Sequence, residues 1–308
     1  MAITISGVGC AENFNKVAIY GATYEDPILE GIGCIPQSRM DASNALAVNI
    51  FYLPPETAVD PGATPLPYAQ SASAVSGAIK EMSNTVKTVA LRNFFNDAIS
   101  LPYPLLDSVP YEAAGDAING LANKASRENL NMEVACLVNE GTASTYTATG
   151  SETADQLLAL KYGQVKKAIS DMKKTNFKPR FALVSQDIYD KVVEVAGAAF
   201  TGDIRNEIAF TGDIGRYNGI VWAATPVLGQ ASGSVKYYDY AGTLHTVDIS
   251  GVEAILIDGD YFAAISKLNN LSLKDGGAYA GSVIATQDRQ FGATLLNASA
   301  AFFVRPNA

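Results

Sequence analysis

One histidine, three cysteines and scattered carboxylates are what this 308-residue chain offers to catalysis. His245 is the only histidine, so no multi-histidine metal site exists and a Ser-His or Cys-His mechanism has a single candidate base. Its setting, Tyr240-Ala241-Gly242-Thr243-Leu244-His245-Thr246-Val247, reads as the return strand of a hairpin, where a histidine is an edge residue rather than a base. Cys10, Cys34 and Cys136 are odd in number, far apart and without a Cys-x-x-Cys pair. That argues against a disulfide framework and against zinc, and leaves small buried or half-buried thiols. No Gly-x-x-x-x-Gly-Lys-Ser/Thr phosphate loop occurs, and Gly31-Ile32-Gly33 lacks the third glycine and the helix of a dinucleotide site. Asp258-Gly259-Asp260 opens like a calcium loop, but Asn269 stands where the bidentate Glu is needed. There is no Gly-x-Ser-x-Gly elbow. Asp203 and Asp213 could form an acid/base pair, but a chain of this length offers many such pairs. The expectation is a structural protein, not an enzyme, with no cofactor and no metal.

The bulk numbers agree with a folded body. Hydrophobic residues make up 48% and charged residues 17%, which excludes a disordered tail protein. No apolar run approaches the roughly 20 residues that span a bilayer. Met1-Ala2-Ile3-Thr4-Ile5-Ser6 lacks the basic and hydrophobic segments of a signal peptide, so synthesis in a cytoplasm is expected. Net charge is −9, and residues 1–150 carry 7 Lys+Arg against 15 Asp+Glu. An acidic chain is a poor general binder of nucleic acid, because Lys and Arg on phosphates supply most non-specific affinity.

The elements follow from pattern. Residues 1–50 hold short apolar clusters without sustained periodicity and read as an arm lying on other structure. Ala45 to Leu53 reads as a strand ended by Pro54-Pro55, and a second extended run falls around Ser76 to Thr88. Between them Pro54, Pro55, Pro61, Gly62, Pro65 and Pro67 forbid a helix, so the tip reads as a protruding interaction arm; a disordered linker is the other reading. Ser108 caps a helix with Pro110 in its first turn, and Ala114, Ile118, Leu121 and Ala125 give it one apolar stripe to about Leu130. Thr142 to Gly150 reads as a loop. A second helix carries Leu158, Tyr162, Val165, Ile169 and Met172 on one face. Lys161, Lys166, Lys167, Lys173, Lys174, Lys178 and Arg180 make its surroundings basic, by default a solvated face, with a polyanion contact as the other reading. Further on come a hairpin from Ser234 to Ile249, a buried strand Ala254–Ile257 and a long closing strand from Ala293 to Val304.

The most telling order lies between Phe177 and Leu228. Phe181-Ala182-Leu183-Val184 is an apolar strand, and a short helix spans Gln186 to Val195. A polar loop follows in which Thr201-Gly202-Asp203-Ile204-Arg205 is echoed by Thr211-Gly212-Asp213-Ile214-Gly215-Arg216. A second buried strand, Gly215 to Trp222, is then stopped by Pro226. This order resembles the axial domain of tailed-bacteriophage major capsid proteins, whose fold is the Hong Kong 97 type.

The resemblance implies an α+β fold with an N-terminal arm (1–50) and an extended loop (51–88). It also implies a peripheral domain with a spine helix (89–145), an axial domain (146–266) and a return to the peripheral domain (267–308). It implies self-assembly, through pentamers and hexamers, into an icosahedral virion shell around double-stranded DNA held without sequence specificity. Portal, scaffolding and decoration proteins are the implied further partners, and no membrane. The loop residues Pro61, Gly62, Pro65, Leu66, Pro67 and Tyr68 are expected to touch a neighbouring subunit. Asp203, Arg205, Asp213 and Arg216 are expected to pair between copies around a symmetry axis. Two departures from the family stand out: no room precedes the arm for a long scaffolding segment, and residues 51–79 hold no lysine for covalent cross-linking. The same fold builds bacterial encapsulin compartments, which is the first alternative. A histidine-independent α/β enzyme is the second.

Overall fold

The computed structural model describes residues 47–52, 85–102, 110–199, 216–275 and 282–307. Its centre is set by two short runs that are apolar at every position. β5 (Phe181–Val184) and β10 (Ala254–Ile257) are buried throughout, as strands covered on both faces are, and they pair antiparallel with each other. Around them a six-stranded mixed sheet runs β4-β13-β10-β5-β7-β6, with β4 (Thr142–Tyr146), β6 (Arg216–Tyr217), β7 (Ile220–Ala224) and β13 (Ala301–Pro306). β5 and β7 are parallel, joined through α3 (Gln186–Ala199). Helix α2 (Ala154–Lys174) begins with a capping box between Thr153 and Gln156, and buries Tyr162, Val165, Ala168 and Met172.

A second sheet is built on a long hairpin. β11 (Phe262–Asp275) and β12 (Ser282–Leu295) pair along their whole length, with a register shift between Leu268 and Asn270, and β3 (Asn93–Pro102) joins on β12. Helix α1 (Pro110–Glu140), about 46 Å long at 1.5 Å per residue, packs on this sheet. Two ribbons complete the chain: β1 (Ala47–Tyr52) with β2 (Thr85–Ala90), and β8 (Ser234–Tyr238) with β9 (Leu244–Asp248).

Four expectations need correction. α1 runs to Glu140 rather than Leu130, because Met132 and every residue from Val134 to Val138 are buried between elements. The Thr/Ser-rich stretch after it is not all loop: β4 pairs in parallel with β13 and buries Ser144 and Tyr146. The described part of this stretch, from Arg216 on, is a tight hairpin instead of one strand, turning at Asn218 (φ 54°) and Gly219 (φ 78°), the left-handed pair that a two-residue hairpin requires. The closing stretch 293–304 is also broken. β12 ends at Leu295, Asn297 caps a 3-10 turn at Ala298–Ala300, and β13 then enters the six-stranded sheet between β4 and β10.

Candidate assembly surface

Of the residues singled out from the sequence, Pro61, Gly62, Pro65, Leu66, Pro67, Tyr68, Asp203, Arg205 and Asp213 lie outside the described residues. Arg216 opens β6, where it pairs with Val221 across the hairpin. The described residues do show how the root of the 53–84 segment is held.

β1 and β2 form an antiparallel ribbon, from Ala47 opposite Ala90 to Tyr52 opposite Thr85. Thr88 Oγ1 donates to Asn49 Oδ1 across it at 2.7 Å. Val89 and Leu91 bury against Ala263 and Ile265 of β11, with Ile50 beside them, in a small core separate from the main one. The ribbon crosses β12 at Gly292, where an added Cβ would lie 2.2 Å from the Ala90 carbonyl oxygen. Only glycine leaves room for that crossing. Lys87 reaches Glu140 at the end of α1 at 3.9 Å. Burial raises the Glu140 carboxyl above its usual range, although the Leu295 N–H at 3.0 Å and Lys87 both oppose this.

α1 is fixed to the sheet by a buried charge network. Arg289 of β12 is 2% exposed and donates to Glu128 Oε2 and, at 2.6 Å, to Asn129 Oδ1, both on α1. Its Nε lies 3.5 Å from Asp97 of β3, and its guanidinium sits 4.0 Å from the Phe95 ring centre. Lys124 of α1 closes the set by pairing with Asp97. Two anions thus face two cations, so the charges of this network compensate one another.

Val86, Phe94, Tyr238, Tyr240 and Leu244 are large apolar side chains left exposed among the described residues. Tyr238 and Leu244 are cross-strand partners in the β8–β9 ribbon. The Asn93 amide clamps that ribbon to β3, donating to the Tyr238 carbonyl at 3.0 Å and accepting its N–H at 2.8 Å. Arg92 Nε donates to the Tyr240 carbonyl at 3.4 Å. The aromatic richness of 234–249 is visible in the sequence; its attachment to β3 through Asn93 is not.

Of the groups weighed for catalysis or metal binding, His245, Cys136 and Asp258 are described, and each is engaged within the fold. His245 Nε2 lies 3.0 Å from Asp239 Oδ2, and its ring stacks on Tyr237. Burial alone would raise the Asp239 carboxyl, but His245 and the Thr243 N–H outweigh it and lower it. Burial, and secondarily Glu140, pushes the Cys136 thiol well above its usual value, which leaves little thiolate to react. Lys161 departs from the solvated lysine face expected for it: its Nζ lies 2.6 Å from Glu253 Oε1, while Ser185 Oγ donates to Oε2 at 3.0 Å. This latch ties α2 to the sheet, and burial with the Glu253 charge pushes the Tyr146 hydroxyl up to about 12. Asp258 spends both oxygens on backbone N–H groups, of Lys178 at 2.9 Å and Asp260 at 3.4 Å, so it caps a turn. A groove of ≈ 520 Å³ between α1 and residues 225–227 is lined by Lys124 and Arg127 but by no carboxylate. Among the described residues no group of three His, Cys, Asp or Glu side chains could hold a metal, and no helix is long and apolar enough to cross a membrane.

The architecture has counterparts among solved structures. A structure from Mycobacterium phage Che8 is 14% identical, with a TM-score of 0.56 over 88% of this chain and 88% of that one. The capsid structure of the cyanophage P-SCSP1u is 10% identical, with a TM-score of 0.56 over 85% and 84%. The chain has the Hong Kong 97-type capsid fold. The virus-like particle from Pyrococcus furiosus is similar too, 10% identical with a TM-score of 0.52 over 97% of this chain and 100% of that one. No protein-family model matches the chain, and no curated sequence does. At such identities the capsid fold is shared while the side chains that decorate it are this chain's own.

Proposed function

We propose that this chain is the major capsid protein of a tailed bacteriophage, made in the bacterial cytoplasm and assembling itself into an icosahedral shell around double-stranded DNA. The observation that carries this reading is the capsid fold across 85–88% of the chain and 84–88% of the matched phage proteins. In this reading the six-stranded sheet with α2 and α3 serves as the axial body that gathers in pentamers and hexamers. The three-stranded sheet with α1 serves as the periphery. The β1–β2 ribbon presents residues 53–84, with Pro61, Gly62, Pro65, Leu66, Pro67 and Tyr68, to a neighbouring copy. The exposed Tyr238, Tyr240 and Leu244 of the β8–β9 ribbon are a further subunit contact, and Asp203, Arg205, Asp213 and Arg216 pair between copies around the axis. Portal, scaffolding and decoration proteins complete the partners. The role is structural rather than enzymatic.

Deleting residues 56–70 tests the loop assignment: the subunit should fold but fail to form shells. Arg216→Glu should likewise weaken capsomers without unfolding the subunit, and unchanged assembly at low and high salt would remove Arg216 from the contact. An encapsulin-like compartment is the second reading, supported by end-to-end coverage of the Pyrococcus furiosus particle protein. Nuclease-protected DNA inside purified particles supports the capsid; particles filled with protein and free of nucleic acid support the compartment.

A further inference from the structure

Helix α2 has two unlike faces. Tyr162, Val165, Ala168 and Met172 are buried. Opposite them Lys166, Lys167, Lys173 and Lys174 are exposed, with exposed Ala159, Gly163 and Ser170 interleaved at helical spacing. Exposed Lys178 continues the line past the helix end. Lys174 pairs with Asp171 at 2.7 Å, and Lys166 lies 4.5 Å from the centre of the Tyr162 ring. Among the described residues Lys166, Lys167, Lys173 and Lys178 have no ion-pair partner. The helix dipole accounts for cations in the last turn, Lys173 and Lys174, but its effect has faded two turns earlier at Lys166 and Lys167. On a chain of net charge −9, this concentration of cations needs another reason.

We infer that this face binds the phosphate backbone of nucleic acid, and that in the shell it is turned toward the packaged DNA. The orientation rests on the capsid reading above; the binding does not. Composition separates nucleic acid from a protein partner. Protein interfaces concentrate aromatic residues, Met and Arg and deplete Lys, whereas this face alternates lysines with Ala, Gly and Ser. The small residues let a phosphate chain come close to the helix, and each ammonium meets a phosphate as a point charge. Between Ala159 and Lys174 the exposed face holds no Arg, Asn or Gln to read a base edge, so binding is independent of sequence.

Four lysines on four phosphates give a slope of log affinity against log salt of about −3.6 for duplex DNA. Affinity should therefore drop roughly a hundredfold between 50 and 200 mM salt. The test is fluorescence anisotropy of a labelled 30-base-pair duplex with the full-length subunit, held below its assembly concentration. The variant is Lys166→Gln, Lys167→Gln, Lys173→Gln and Lys174→Gln together, with Lys191→Gln, Lys236→Gln and Lys267→Gln as the control set. The quadruple variant should melt like the parent and lose most of the salt slope and about a hundredfold in affinity at 50 mM, while the control set stays within a few-fold. A parent that does not bind, or a quadruple variant that binds as the parent does, overturns the inference. So does a quadruple variant that binds DNA normally but no longer forms shells, which would make the face a subunit contact. Parent samples at assembly concentration are viewed in parallel by negative stain. Lysine-dependent binding without shells refutes the capsid reading alone, and shells without binding refute this inference alone.

Discussion

Gly292→Ala is the smallest change that should disconnect assembly from folding. The added Cβ would stand 2.2 Å from the Ala90 oxygen, 2.8 Å from the Ala90 carbonyl carbon and 3.3 Å from the Leu91 nitrogen. Favourable contact begins near 3.5 Å, so the β1–β2 ribbon must retreat by roughly 1 Å. All three atoms are backbone, and no side chain can rotate away to relieve the overlap. Overpacking of this kind costs about 1–3 kcal/mol, and the backbone clash argues for the upper end. The retreat also opens the small core of Val89, Leu91, Ala263 and Ile265 that seats the ribbon. Urea unfolding should show the loss, read from the single tryptophan, Trp222, which is buried in the six-stranded sheet. The main sheet should still unfold cooperatively, limited proteolysis should cut near the ribbon, and shells should be few. Gly163→Ala is the control: a Cβ there meets nothing within 4 Å on an exposed helix face, so it should stabilise by about 0.5–1 kcal/mol. If Gly292→Ala were as stable as the parent within about 0.5 kcal/mol and assembled normally, the close crossing and its role in seating the loop would both be wrong.

Arg289→Met should cost about 3–5 kcal/mol by leaving Asp97 and Glu128 to share the half-exposed Lys124 alone, and adding Asp97→Asn and Glu128→Gln should recover part of it; denaturant titration decides, and a loss below about 1 kcal/mol would contradict the network. Glu140 is more basic folded than unfolded, so its contribution is complete below about pH 4.5 and is lost as pH rises through the folded value. Glu140→Gln should match the parent at low pH and exceed it at neutral pH, and equal stability at both ends of the curve would contradict this. Residues 51–79 hold no lysine, so particles boiled in detergent and reductant should run as a single 32.4 kDa band; a ladder that survives would reveal a covalent link of another kind.

The sequence was most legible where one element suffices to explain its residues. Phe181–Val184 and Ala254–Ile257 announce doubly covered strands by being apolar throughout, and Tyr162, Val165 and Met172 mark the buried face of α2 by spacing alone. Legibility failed where a distant partner decides. β4 takes its strand identity from β13, which no local preference in Thr142–Tyr146 reveals. The last ten residues of α1 lack a stripe because they are buried nearly all round, which removes the amphipathic signal. Lys161 looked like its solvated neighbours until Glu253 was brought beside it. Asn218-Gly219 did carry a hairpin signal, but the two-residue strand before it is too short to show alternation. Of the assembly residues expected from the sequence, the described structure reaches only Arg216. The attachment of the β8–β9 ribbon to β3, through Asn93 and Tyr238, arises instead between strands that are far apart in the chain.

The central claim is tested most directly by electron microscopy of the purified full-length protein at assembly concentration. The account predicts closed particles of uniform size whose averages refine with icosahedral symmetry, with this chain forming both pentamers and hexamers. A protein that stays monomeric across concentration and salt, or that forms only open tubes or isolated rings, would contradict it.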